Sequence, residues 1–264
     1  KDAGVVLDVG SGANAFDALN TSISTGVLAS HGAIRIGLGG NDLLDGGTGA
    51  DAMTGGFGND VYVVDNAGDC VTEAANAGHD TVRASVDHTM APNLEDLELT
   101  GSAAINANGN AGNNTLRGNA GSNRLDGGAG TDLLVGGAGN DAYALNRGNG
   151  VDAVYDYDLA PGNTDHALFG ADIAADQLWF RQVSNNLEIN VIGSSDKLTI
   201  NGWYSGSQFR VEEFHTSNGQ TLLESQVQNL VSAMAAFAPP APGQTSLSPG
   251  YAALLTPVIA ANWQ

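Results

Sequence analysis

Residues 37–63 read GLGGNDLLD, GGTGADAMT and GGFGNDVYV, and residues 109–144 read GNAGNNTLR, GNAGSNRLD, GGAGTDLLV and GGAGNDAYA. These are seven nonapeptides in strict register, and a degenerate unit, VDNAGDCVT at 64–72, keeps Asp69 in step with the first block. The sixth position of each unit is Asp42, Asp51, Asp60 and Asp69, then Asn114, Asn123, Asp132 and Asp141. The eighth is Leu44, Met53, Tyr62 and Val71, then Leu116, Leu125, Leu134 and Tyr143, apolar throughout. The paired glycines permit a positive φ and a close backbone approach. A polar turn therefore alternates with a very short strand whose middle side chain points inward. Such a strand cannot fold alone and must stack on neighbours about 4.8 Å away, which predicts an all-β solenoid.

Two nonapeptides make one coil of eighteen residues, so residues i and i+18 stack along the axis. This sets Asp42 near Asp60, Asp51 near Asp69, and Asn123 near Asp141. Two carboxylates about 4.8 Å apart repel by roughly 3–4 kcal/mol at an effective dielectric of about 20. A column of them calls for a hard divalent cation between coils. Calcium suits this better than magnesium, because it accepts about six to eight oxygens, carbonyls included, in loose geometry.

The composition agrees. The 264 residues contain 22 Asp, 7 Glu and 37 Gly, with a formal net charge of -20, and the only lysines are Lys1 and Lys197. So acidic a chain has no basic surface to neutralise phosphates, which excludes ordinary nucleic-acid binding. Gly, Asn and Asp are poor helix formers, which argues against a helical enzyme. The hydrophobic fraction of 42% argues against disorder. Cys70 is the single cysteine, so neither an intramolecular disulfide nor a cysteine-based zinc site can form. The apolar runs are far shorter than a bilayer span. The chain begins at Lys1 with no charged-then-apolar leader and reads as a fragment or as the C-terminal part of a longer protein.

The motif G-G-x-G-x-D-x-U-x is matched almost letter for letter over 37–63 and 127–144. On these residues the chain resembles the RTX (repeats-in-toxin, haemolysin-type) calcium-binding proteins. The resemblance implies a parallel β-roll, with calcium held between turns by the carbonyls of positions 1, 2 and 4 and the Asp of position 6. In the first block it points to Gly37, Leu38, Gly40 and Asp42, to Gly46, Gly47, Gly49 and Asp51, and to Gly55, Gly56, Gly58 and Asp60, with Asp69 following. In the second block it points to Gly127, Gly128, Gly130 and Asp132, then Gly136, Gly137, Gly139 and Asp141. Leu38 stands where the family has glycine. Asn123 joins the candidate ligands, but Asn114 and Asn123 replace the aspartate, and a neutral amide is a weaker ligand for a hard cation. These coils read either as poor metal sites or as asparagine ladders that need no counter-ion. Asp80 and Asp152 follow glycine-containing turns and are read as closing the last site of each block. Roughly two to six calcium ions are expected, concentrated at 37–69 and 127–152.

The remainder divides by composition. Residues 1–36 read as an N-terminal cap or the tail of a preceding domain, 37–77 as the first block, and 78–108 as a connector of wider solenoid coils. Residues 109–155 form the second block. Residues 156–222 read as a β-rich cap, with strands in HALFG (166–170), QLWFRQV (177–183), NLEINVI (186–192), DKLTINGWY (196–204) and FRVEEFH (209–215). Trp179, Phe180, Trp203, Tyr204 and Phe214 are read as packing. This region resembles the haemolysin-type calcium-binding-protein-related segment that follows RTX blocks. In 223–264 a helix carries Leu223, Val227, Leu230, Met234 and Phe237 on one face. The Pro-rich hinge and tail beyond it match where the family carries an uncleaved signal for type I secretion.

There is no G-x-S-x-G elbow, no H-E-x-x-H, no phosphate-binding G-x-x-x-x-G-K-[ST] loop and no EF-hand loop. The five histidines, His31, His79, His88, His166 and His215, are scattered and read as surface or packing residues. The sequence is therefore read as a non-catalytic, calcium-binding structural module, secreted or at the cell surface. Its expected partners are calcium and, during export, the type I secretion machinery. The alternatives are a calcium-stabilised adhesin or self-assembling surface protein, and the non-catalytic C-terminal part of a secreted hydrolase.

Overall fold

A computed structural model describes residues 34–37, 39–158, 162–241 and 243–264. The candidate ligand Leu38 and nearly all of the expected N-terminal segment lie outside the described residues.

The nonapeptide strands stack into two walls of a parallel β-solenoid. One wall runs through β2 (Leu43–Asp45), β4 (Val61–Val64), β6 (Thr81–Ala84), β8 (Asp96–Leu99), β10 (Thr115–Arg117), β12 (Leu133–Val135) and β14 (Val151–Val154). The opposite wall is built in two sections. The first comprises β1 (Ile34–Ile36), β3 (Ala52–Thr54) and β5 (Cys70–Thr72). The second comprises β7 (His88–Thr89), β9 (Ala107–Asn108), β11 (Arg124–Asp126), β13 (Ala142–Leu145) and β15 (His166–Phe169). Leu44 pairs with Tyr62, Leu116 with Leu134, and Leu125 with Tyr143, the register set by an eighteen-residue coil. Every eighth-position side chain is buried between the walls. Each buried Leu or Val contributes about 1.5–3 kcal/mol, so the coil coheres through a single apolar column.

The first wall continues without a break between the blocks, but the coils are uneven. Asp60 bonds to Asp80 across 20 residues, Asp80 to Glu95 across 15, and Asn114 to Glu95 across 19. The connector thus contains one coil tighter than the repeat as well as two that are wider. Turn residues absorb the difference while Val82 and Leu97 keep their places in the core column.

The far end is closed by antiparallel structure. β16 (Leu178–Val183), β17 (Asn186–Val191) and β18 (Lys197–Ile200) form a meander, and β18 joins the first wall beside β14. β19 (Glu213–Thr216) adds in parallel to β15 and turns back into β20 (Thr221–Leu223). The strand expected over 196–204 stops at Ile200, because Gly202, at φ 73°, turns the chain. Trp203 is buried within that turn. Trp179, Phe180 and Phe214 are buried too, and Phe180 meets Phe214 edge-on at 6.0 Å.

Helix α1 (Glu224–Met234) buries Val227, Leu230, Val231 and Met234 against the meander. Leu223, read as part of that face, ends β20 and is exposed. Helix α2 (Pro249–Asn262) buries Leu255 and Ile259, and Trp263 packs near Phe169 and Phe180. Gln264 exchanges two backbone hydrogen bonds with Thr221, at 2.7 and 2.9 Å, and so covers the β20 edge. An open solenoid end exposes unpaired backbone and apolar side chains. Here it is sealed by these elements. No helix among the described residues is long and apolar enough to cross a membrane.

Candidate metal centres

The position-6 side chains form a ladder along each wall. The backbone N–H of Asp42 donates to Oδ1 of Asp60 at 2.7 Å, and that of Asp60 to Oδ1 of Asp80 at 2.8 Å. The N–H of Asp80 donates to Glu95 at 2.8 Å. Along the same wall Asn114 donates to Asp132 at 2.7 Å and Asp132 to Asp152 at 3.1 Å. On the opposite wall Asp51 donates to Asp69 at 2.9 Å, Asn123 to Asp141 at 2.8 Å and Asp141 to Asp165 at 2.6 Å. Each rung ties a side chain to the backbone one coil earlier.

One carboxylate oxygen makes the rung, and the other faces the turn. A Cβ added to Gly46, Gly55, Gly127 or Gly136 would overlap Oδ2 of Asp51, Asp60, Asp132 or Asp141 respectively. Position 1 must therefore be glycine for the aspartate to fold back over its own turn. A Cβ on Gly37 would overlap both Asp42 Oδ2 and the carbonyl of Gly55, so side-chain and next-coil oxygens converge there. At position 4, Gly58 and Gly130 have φ 130° and 140° and sit against the carbonyls of Gly40 and Gly112. These turns consequently line up carbonyl oxygens beside carboxylates.

The Oδ2 atoms of Asp60, Asp80, Asp132, Asp141 and Asp152 are buried without a hydrogen-bond partner, as is Oδ1 of Asp156. Burial pushes Asp80 up to about 6 and Asp141 up to about 7, and it raises Asp60 as well. Asp132 and Asp152 are raised together, first by burial and, for Asp152, by the charge of Asp132. Asp156 and Asp165 form a second raised pair, again chiefly through burial. Unpaired buried carboxylate oxygens are strongly unfavourable without a compensating charge. An all-oxygen donor set of carboxylates and carbonyls is what a hard cation takes, so the residues fit calcium.

Asn114 and Asn123 are differently engaged. Asn123 Nδ2 donates to the carbonyl of Ile105 at 2.7 Å, and its Oδ1 accepts from Asn119 N–H at 2.8 Å. Asn114 Nδ2 donates to Leu94 at 2.9 Å, and its Oδ1 accepts from Asn110 N–H at 2.8 Å. The amide supplies a donor where a carboxylate has none. Asp69 Oδ2 accepts from the N–H groups of Asp65 and Asn66, both at 3.1 Å.

Several acidic residues enter these sites without a signal in the nonapeptide register. Glu73 is buried, accepts from the Tyr62 hydroxyl, and brings an oxygen within 4.8 Å of Asp60 and Asp80. Asp165 extends the second ladder into the cap, where its own N–H donates to Glu212 at 2.8 Å. Asp196 accepts from Gly148 and Gly150 at 3.0 and 2.9 Å. Their separations from the rungs they continue, 24, 47 and up to 48 residues, are not multiples of nine.

The profile of the RTX calcium-binding nonapeptide repeat matches residues 36–62 and 108–143 in four copies. The chain carries RTX calcium-binding nonapeptide repeats. A haemolysin-type calcium binding protein related domain matches residues 186–226, from the β17–β18 hairpin into α1. The chain is also similar to the iron-regulated protein FrpA of Neisseria meningitidis serogroup C, 38% identical over 90 residues. That likeness covers 33% of this chain and 8% of FrpA. The RTX repeats identify calcium as the ion of this β-roll, in agreement with the oxygen-only donors along its turns.

Proposed function

We propose that this RTX chain is a structural module of a secreted protein, exported unfolded by a type I route and folded by extracellular calcium. The observation that carries the reading is the row of buried, unpartnered carboxylate oxygens on Asp60, Asp80, Asp132, Asp141 and Asp152. In the first block the proposed ligands are the carboxylates of Asp42, Asp51, Asp60, Asp69 and Asp80 with the glycine carbonyls of their turns. In the second block they are Asp132, Asp141 and Asp152 with theirs. Asn114 and Asn123 hold their coils by hydrogen bonds instead. When bound, calcium supplies the positive charge that lets stacked carboxylates stay buried and ionised.

Without that charge the ladder aspartates repel across each rung and the short strands have no independent stability. The chain is then extended, a form suited to a narrow export channel. Coil formation outside the cell converts ion-binding energy into folding energy. The affinity suited to this switch is about 0.1–1 mM, the range of extracellular calcium modules. The module's role in this reading is structural rather than catalytic.

Far-UV circular dichroism against free calcium, starting in EGTA at neutral pH, tests the proposal. The expected result is a cooperative change from coil to β-structure with calcium and little change with magnesium. A complete β spectrum in EGTA at neutral pH would overturn it.

A further inference from the structure

Away from the turns, three metal-binding side chains meet on the outside of the second wall, where the repeats give way to the cap. β15 pairs with β19 so that His166 lies opposite Glu213 and Leu168 opposite His215. Ala167 and Phe214, between them, are buried inside the roll. Strand alternation therefore sets His166, Glu213 and His215 on the same outer face. Nδ1 of His166 is 3.1 Å from Nε2 of His215, which is 2.9 Å from Oε2 of Glu213. The third edge, His166 to Glu213, is 3.5 Å.

Protons alone cannot satisfy this triangle. Each of the three atoms acts as a donor or as an acceptor, and three mutually facing atoms cannot be divided so that every edge joins one of each. At least one edge must set like against like. A cation facing all three satisfies them together as lone-pair donors. The size also fits, because two ligands about 2.0–2.1 Å from a tetrahedral zinc ion stand about 3.3–3.4 Å apart. The three observed edges bracket that span. Nδ1 of His215 lies 3.1 Å from Thr221 Oγ1 on β20. Metal-bound histidines use such an outer hydrogen bond to fix the ring and its tautomer. Each of the three side chains is about 30% exposed, which leaves a further coordination position to water.

We propose that His166, Glu213 and His215 form a second metal site, for a divalent transition metal of the zinc class. Two imidazoles select against calcium, which takes oxygen ligands. The site joins β15 to β19 across 49 residues of sequence and would clamp the last repeat coil to the cap. It shares no residue with the calcium turns, so this proposal and the calcium reading stand or fall separately.

The test uses the full chain, stripped of trace metal and saturated with calcium. Zinc is titrated by calorimetry, and cobalt(II) is added as a visible-absorption probe of the ligands. About one equivalent of zinc should bind in the presence of millimolar calcium, and cobalt should give an absorption band characteristic of nitrogen ligands. His166→Ala and His215→Ala should each weaken binding by at least about 100-fold. Thr221→Val, which leaves all three ligands in place, should weaken it by about 10–100-fold. Each variant should keep the calcium-dependent circular dichroism of the parent. If a histidine variant fails to fold, Glu213→Gln and Thr221→Val carry the test. No zinc uptake by the calcium-loaded chain would overturn the proposal. So would zinc uptake unchanged in these variants, or zinc fully displaced by calcium.

Discussion

Asp141 and Asp165 are joined by a 2.6 Å hydrogen bond, from the backbone N–H of one to the carboxylate of the other, across 24 residues of chain. The bond repeats the rung found between nonapeptides, yet Asp165 lies outside any repeat. The cap is thus built as one more coil of the roll. Asp165 continues the rungs of the second block into the cap.

Removal of the Asp165 side chain should therefore weaken a block whose nonapeptides are untouched. In Asp165→Ala the buried N–H of Asp141 loses its acceptor, which costs about 1–3 kcal/mol. Asp165→Asn keeps an acceptor and should lose less in stability. Urea unfolding in saturating calcium should rank the wild type above Asn and Asn above Ala. Equal stabilities for the two variants would show that the rung itself is unimportant.

The raised ladder aspartates give the ion-free chain an unusual response to pH. A carboxyl whose folded pKa lies above its unfolded value, near 3.9, does not oppose folding below that value. It destabilises the fold as pH rises through the folded pKa. For Asp80 and Asp141 that window runs from about 4 to about 6 and 7. For Asp141 the displacement amounts to roughly 4 kcal/mol. In EGTA, β-structure should therefore be greater at pH 5 than at pH 8. Calcium affinity should move the other way, because protons compete for the same oxygens. Circular dichroism at both pH values, followed by calcium titrations, checks both slopes.

Glycine at position 1 should be far less replaceable than the glycine in helix α2. In Gly136→Ala the new Cβ overlaps Asp141 Oδ2 and the Tyr143 hydroxyl, both held in the buried turn. The expected outcome is a loss of more than about 2 kcal/mol and a calcium midpoint at higher concentration. In Gly250→Ala the Cβ meets nothing within 4 Å, and the residue lies in the first turn of α2. That substitution should be neutral or stabilising by up to about 1 kcal/mol. Thermal melts in calcium compare the two.

Trp263 should anchor the end of the roll. It is 3% exposed and packs at ring-centroid distances of 6.4 and 6.5 Å from Phe169 and Phe180. Trp263→Ala should cost about 3–5 kcal/mol. It should also free Gln264 from Thr221, and faster amide hydrogen exchange along β20 would report that release.

Much of this was legible in the chain alone. Nine-residue spacing placed Leu44 on Tyr62 and Asn123 on Asp141, because stacked coils of equal length make register a matter of counting. Calcium followed from that register, since aspartates stacked about 4.8 Å apart repel. Paired aromatic and β-branched runs likewise marked the cap strands that hold Phe180 and Phe214. What counting could not reach was every contact whose separation departs from the repeat. Glu95, Asp165 and Glu212 continue the ladders at intervals of 15, 24 and 47 residues. Scattered histidines gave no pattern either, because His166 and His215 meet only after the intervening meander returns β19 to the side of β15. A repeat writes its neighbours into the sequence through constant spacing. A cap chooses its neighbours by packing and strand pairing, and those contacts exist only once the chain has folded.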